Sequence, residues 1–250
     1  MKKTLKVEEV KSGLTNRRGF LKMSGLALAG TGLLLTGCSD DDDSSIDNNN
    51  QMPGIRNGVF DLGGGDIGIL TYAYALEQLE ADFYTRIVNG NTFGSMFNTD
   101  EQAILADLYN HEVIHREVLK RAINTGVNNN QQQVLPNLDF EYSGLNFSNR
   151  GQVLDIAKKL EDTGVAAYNG AGKYLESAAN LALAGKIVSV EARHASVIRS
   201  LINPDDGYFA AADVVEPNTG KNMAKEPSQV LGEVNDMGYI QTDFTANYLS

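Results

Sequence analysis

The stretch His111–His115 reads HEVIH, and two chemistries compete for it. As H-E-x-x-H it is the signature of zinc proteases, with two histidine ligands and a glutamate base. As E-x-x-H only Glu112 and His115 take part, and they form half of a two-metal site of the kind built inside a four-helix bundle. The spacing recurs in EARH, Glu191–His194, but the leading histidine does not: Val190 stands where His111 would fall. The commonest extended zinc motif also wants Gly and His at positions 118 and 121, where this chain has Val118 and Arg121. The repeat therefore favours E-x-x-H and leaves His111 to an interhelical hydrogen bond beside the ligands.

A second segment repeats along with it. LEQLEADFY (Leu76–Tyr84) parallels LEDTGVAAY (Leu160–Tyr168), so that Glu77 falls on Glu161 and Tyr84 on Tyr168. The spacing predicts four long helices, over residues 66–88, 99–124, 149–176 and 179–202. Asp66 is the expected N-cap of the first, and TDEQ (Thr99–Gln102) the capping box of the second, which Gly126 closes. Residues 127–148 are polar and irregular, long for a loop, and are read as a crossover. Residues 203–250 form a mixed C-terminal extension with one short helix near 228–235. Two hairpins joined by a long middle connection define an all-α, four-helix bundle.

Alternating steps of three and four trace one stripe along each helix. The stripes are Leu70, Ala73, Glu77, Glu80, Tyr84 and Ile87; Leu105, Leu108, Glu112, His115, Leu119 and Ala122; Leu154, Ala157, Glu161, Gly164, Tyr168, Ala171 and Leu175; and Ala184, Ile187, Glu191, His194, Ile198 and Leu201. Each is apolar at its ends and carries a carboxylate near its middle. Burying an unpaired carboxylate costs several kcal/mol. Five at similar depth would exhaust an ordinary domain stability of about 5–15 kcal/mol. The stripes contain no Lys or Arg, so a bound metal is the economical counter-charge.

ALEQLEADFY and VEARHASVIRSL, with the paired E-x-x-H motifs, resemble the ferritin-like proteins, and their desiccation-related branch in particular. The resemblance covers residues 66–202. It implies a ferritin-like bundle holding two iron or manganese ions. Carried over position by position, it implies Glu77 and Glu161 as single ligands, and Glu112 with His115 and Glu191 with His194 as paired ones. It also implies a hydrogen-bonding or redox role for Tyr84. Glu80, His111 and Tyr168 are expected to border the ligands. Two features depart from the family pattern: Glu80 adds a carboxylate where Gly164 stands in the repeat, and Ala73 and Ala157 occupy positions where an Asp partner for the histidines would stand.

The N-terminus reads as an address. TNRRGFLK (Thr15–Lys22) resembles a twin-arginine export signal, the apolar run from Met23 to Gly37 fits a signal core, and LTGC (Leu35–Cys38) resembles a lipoprotein box. Residues 1–37 are thus expected to be removed and Cys38, the only cysteine, to carry lipid. Residues 38–65 are read as an acidic, polar disordered tether, and SDDDD (Ser39–Asp43) resembles the surface-export tag of some lipoproteins. Removing residues 1–37, with seven Lys/Arg and two Glu, takes the formal charge from −11 to −16. Nucleic acid is a poor partner for such a chain, because its phosphates demand basic patches. The expected location is the cell envelope, on the periplasmic side or at the cell surface.

The reading that follows is a lipid-anchored di-iron or di-manganese oxidoreductase acting on dioxygen or peroxide. Its rival is a non-catalytic metal-binding or stress-protective module.

Overall fold

The computed structural model describes residues 51–205 and 207–249. The arginine pair, the apolar run, Cys38 and the acidic run after it lie outside them. In chain order the elements are β1 (Gly54–Arg56), β2 (Val59–Asp61), α1 (Gly65–Val88), α2 (Phe93–Met96), α3 (Thr99–Gly126), α4 (Arg150–Ala171), α5 (Ala178–Ile202), α6 (Pro227–Met237) and β3 (Phe244–Thr245). Helix α1 packs on α3 and α4 on α5, giving two hairpins joined by the crossover between α3 and α4. The four long helices form the bundle expected from the stripes.

The stripes are buried nearly as drawn. Ile123 rather than Ala122 ends the one on α3, and Leu201 on α5 is half-buried. A strict three-four alternation drifts around a straight helix, which accounts for the slip at the ends. Helix α1 is buried almost all round, which no surface helix of a bundle would be. The crossover explains this. Gln78 accepts a hydrogen bond from Leu138 N at 2.9 Å and donates to Pro136 O at 3.3 Å, and Tyr142 donates to Leu79 O at 3.2 Å. Val134, Leu135 and Leu138 thereby cover the outer face of α1.

Several ends differ from the sequence expectation. The N-cap of α1 is Gly64, not Asp66. The Asp66 carboxylate instead accepts from Glu176 N, Ser177 N and Asn180 Nδ2 at 2.7, 3.1 and 2.7 Å, so it ties down the link between α4 and α5. Helix α4 accordingly stops at Ala171 and passes through a short 3-10 turn, rather than running on to residue 176. The capping box of α3 is set one residue earlier, with Asn98 accepting from Glu101 N while Glu101 accepts from Asn98 N.

The tether read through residue 65 is a further correction over its last part. Residues 54–61 form a β-hairpin that turns at Asn57-Gly58, both at positive φ (53° and 84°). This pair suits the twist of a two-residue hairpin turn. Strand β2 then pairs in parallel with β3 near the other end of the chain. Buried Asp61 holds the junction: its carboxylate accepts from Gly63 N, Arg56, Thr245 Oγ1, and both Asn247 N and Nδ2. The rest of the extension is fixed to the bundle at several places, two of them on α4 and α5. Buried Arg199 forms paired hydrogen bonds to both Asp162 and Asp213. Lys225 N donates to Ala166 O at 3.0 Å, and a Cβ at Gly170 would sit 1.7 Å from Lys225 O.

Candidate metal centre

The middle of each long helix delivers its ionisable residue to one place. Glu77, Glu112, Glu161 and Glu191 are all fully buried, and His115 and His194 nearly so. Two groups of ligand-type atoms result. One is Glu77, Glu112, His115 and Glu191; the other is Glu112, Glu161, Glu191 and His194; within each, the atoms lie within 4.8 Å of one another. Glu112 and Glu191 belong to both. Glu112 places Oε1 2.7 Å from His194 Nδ1 and Oε2 3.4 Å from His115 Nδ1. Glu191 does the converse, with Oε1 2.7 Å from His115 Nδ1 and Oε2 3.6 Å from His194 Nδ1. Each shared carboxylate therefore turns one oxygen toward each imidazole.

The outer carboxylates are held by the opposite hairpin. Tyr84 on α1 donates to Glu161 Oε1 on α4 at 2.5 Å, and Tyr168 on α4 donates to Glu77 Oε1 on α1 at 2.6 Å. This leaves Oε2 of each glutamate facing inward, 3.5 Å from the nearest Nδ1. His111 lies outside both groups. It is exposed, its ring stacks on that of His194 at 5.2 Å, and its Nδ1 is 2.9 Å from His194 Nε2. This contact crosses from α3 to α5 and turns the other nitrogen of His194 toward the shared carboxylates. Glu80 is 3 % exposed and belongs to neither group.

The electrostatics show what the seam lacks. Burial, followed by the charge of Glu191, pushes the carboxyls of Glu77, Glu80 and Glu112 above their usual range. Burial raises Glu161 against the pull of His194. For Glu191 burial is outweighed by the two imidazoles, which hold it low. Burial also opposes charge on His115 and His194, but the surrounding carboxylates overcome it and raise both. Even so, Glu77 Oε2, Glu161 Oε2, both oxygens of Glu112 and of Glu191, and both Nδ1 atoms are buried without a hydrogen bond. Such atoms are costly unless something else satisfies them. Eight inward-facing donor atoms, shared between two overlapping groups, fit a pair of cations.

Among the described residues, no other His, Cys, Asp or Glu group converges in this way. His111 and His115 do not share a group, which is what the zinc-protease reading required. The sequence named the residues of the seam; it did not reveal that each tyrosine serves the glutamate of the other hairpin.

A four-helix bundle with buried glutamates and histidines at its centre is the hallmark of proteins that hold metal ions between helices. The sequence model of the ferritin-like domain family matches residues 65–204, more than half of the chain, and the chain belongs to that family. Among curated proteins, none matches it.

Proposed function

We propose that this chain is an exported, lipid-anchored oxidoreductase that carries two iron or manganese ions in the seam and acts on dioxygen or peroxide. The observation that carries the reading is the sharing of Glu112 and Glu191 between two four-residue groups whose inward atoms have no hydrogen bonds. Three carboxylates and one imidazole for each ion make a hard donor set, which suits iron and manganese better than thiolate-loving metals. Such a pair, when bound, supplies the electrons and the Lewis acidity for oxygen chemistry.

The chain's own part is positioning. The tyrosine hydroxyls occupy one oxygen of Glu77 and of Glu161 and so present the other inward. His111 holds the ring of His194 from behind. The apolar ends of the stripes keep bulk water from the carboxylates. The twin-arginine signal supports export in the folded state, with metal already loaded, and the lipoprotein box at Cys38 supports anchoring in the envelope. The motifs ALEQLEADFY and VEARHASVIRSL support placement in the desiccation-related branch.

The test is metal analysis of the full chain purified from its native compartment, followed by turnover with peroxide and with dioxygen. The expected result is two iron or manganese ions per chain and consumption of one of these substrates. Stoichiometric metal without turnover would assign the protein to the protective, non-catalytic reading. Zinc alone would overturn the oxidoreductase.

A further inference from the structure

The C-terminal extension encloses a cavity of about 430 Å³ against the α4–α5 hairpin. None of the seam's glutamates or histidines lines it. The bundle side is made of small residues, Ala166 on α4 and Ala192, Ala195 and Ser196 on α5. The extension supplies Phe209 and Met223, large apolar side chains that are left exposed. The walls are held in place by contacts already described, from Arg199 to Asp162 and Asp213 and from Lys225 N to Ala166 O. A preformed cavity of this size, apolar with a few polar groups, is the usual form of a small-molecule site. Three of its polar groups are unspent. Lys158 lies 3.4 Å from Asp162, Lys225 holds both oxygens of Glu233, and Arg199 serves Asp162 and Asp213. Lys159 and Asp236, which also line the cavity, have no hydrogen bond or ion pair among the described residues. Thr163 is the third. Thr71, Thr85 and Thr125 each donate to the carbonyl one turn earlier in their helices, but Thr163 does not. It is 6 % exposed, and its hydroxyl is not among the sealed atoms that lack a hydrogen bond, so it opens on the cavity that it lines.

We propose that this cavity binds a small zwitterion with an apolar body, of the kind presented by an apolar amino acid or dipeptide. Lys159 takes the carboxylate, Asp236 the ammonium group, and the Thr163 hydroxyl a polar atom of the ligand. The apolar body covers Phe209 and Met223. A simple anion would leave Asp236 unmatched, and a simple cation would leave Lys159 unmatched. The site is separate from the metal centre and does not depend on its being loaded.

The experiment is calorimetric titration of the purified full chain with leucine and with leucyl-leucine, whose charges differ in separation. One of them should bind with a stoichiometry of one. N-acetylation or amidation of that compound, each of which removes one charge, should weaken binding roughly tenfold. Lys159→Gln should weaken the parent compound by a similar factor and leave the amide unaffected, because the amide has no carboxylate to lose. Asp236→Asn should behave in the same way toward the acetylated compound. Thr163→Val should weaken binding of all forms, and Ser196→Phe, which fills the cavity from α5, should abolish it. Failure of both leucine and leucyl-leucine to bind the wild type overturns the proposal. Equal binding of the blocked compounds overturns the zwitterion, and binding that survives Ser196→Phe places the site elsewhere. Should Ser196→Phe fail to fold, unchanged binding by Phe209→Ala, a change at an exposed side chain, overturns it instead.

Discussion

Glu112 and Glu191 each turn one oxygen to His115 and the other to His194, so neither can be lost at the expense of one group only. Replacing Glu112 with Gln keeps the shape and removes the charge. The variant should hold neither ion firmly. Cobalt at about 100 times its Kd should raise wild-type stability by about 2.7 kcal/mol and the variant's by close to nothing. Without metal the order should reverse, since the variant carries one less buried carboxylate. Denaturation with and without cobalt checks both, and a variant that retains two ions would contradict the bridging role. At this scale the sequence was unusually readable, because E-x-x-H and the lone Glu recur at matched depth on apolar stripes. Reciprocity was not readable. That Tyr84 serves Glu161 and Tyr168 serves Glu77 depends on how the hairpins face each other, which no spacing within one helix reports.

The helices were legible to within a few residues, and their ends were not. Asp66 has the chemistry of an N-cap but spends it on the α4–α5 link, and Asn98 takes the cap that Thr99 was expected to supply. Caps are read from local chemistry, whereas the choice among neighbouring candidates is made by tertiary contacts. The hairpin β1–β2 was masked by its polar surroundings, although Asn57-Gly58 between short alternating runs was a usable signal. Its partner β3 lies 184 residues from Asp61 along the Asp61–Thr245 contact, beyond any local pattern. That junction has a pH signature. Burial would raise the Asp61 carboxyl, but hydrogen bonds from Thr245, Gly63 and Asn247 more than offset it and leave the group below its ordinary value of 3.8. A depressed folded-state pKa contributes stability that is present above the unfolded value and lost as pH falls through the folded one. Asp61→Asn should therefore cost about 1–3 kcal/mol at neutral pH, with the deficit shrinking as pH falls below that of the ordinary carboxylate. Chemical denaturation across that range measures it, and a deficit independent of pH would show that the charge is not what holds the clip.

For the molecule as a whole, the proposed anchor makes the first test simple. Cys38→Ser should move the protein from the membrane fraction to the soluble one, and Lys in place of Arg17 and Arg18 should stop its export. Retention in the first case or normal export in the second would refute the corresponding assignment. No helix among the described residues is long and apolar enough to cross a membrane. A last consequence lies in how the groups are divided. The group on α1 and α3 takes Glu191 from the other hairpin, and the group on α4 and α5 takes Glu112 in return. Ions held in this way would do more than occupy a cavity. They would close two jaws on each other, with the crossover from α3 to α4 as the strap that joins them. Grip between the halves would then follow the concentration of metal around the protein: tight where ions are plentiful, and slack where carboxylates face one another with only protons between them.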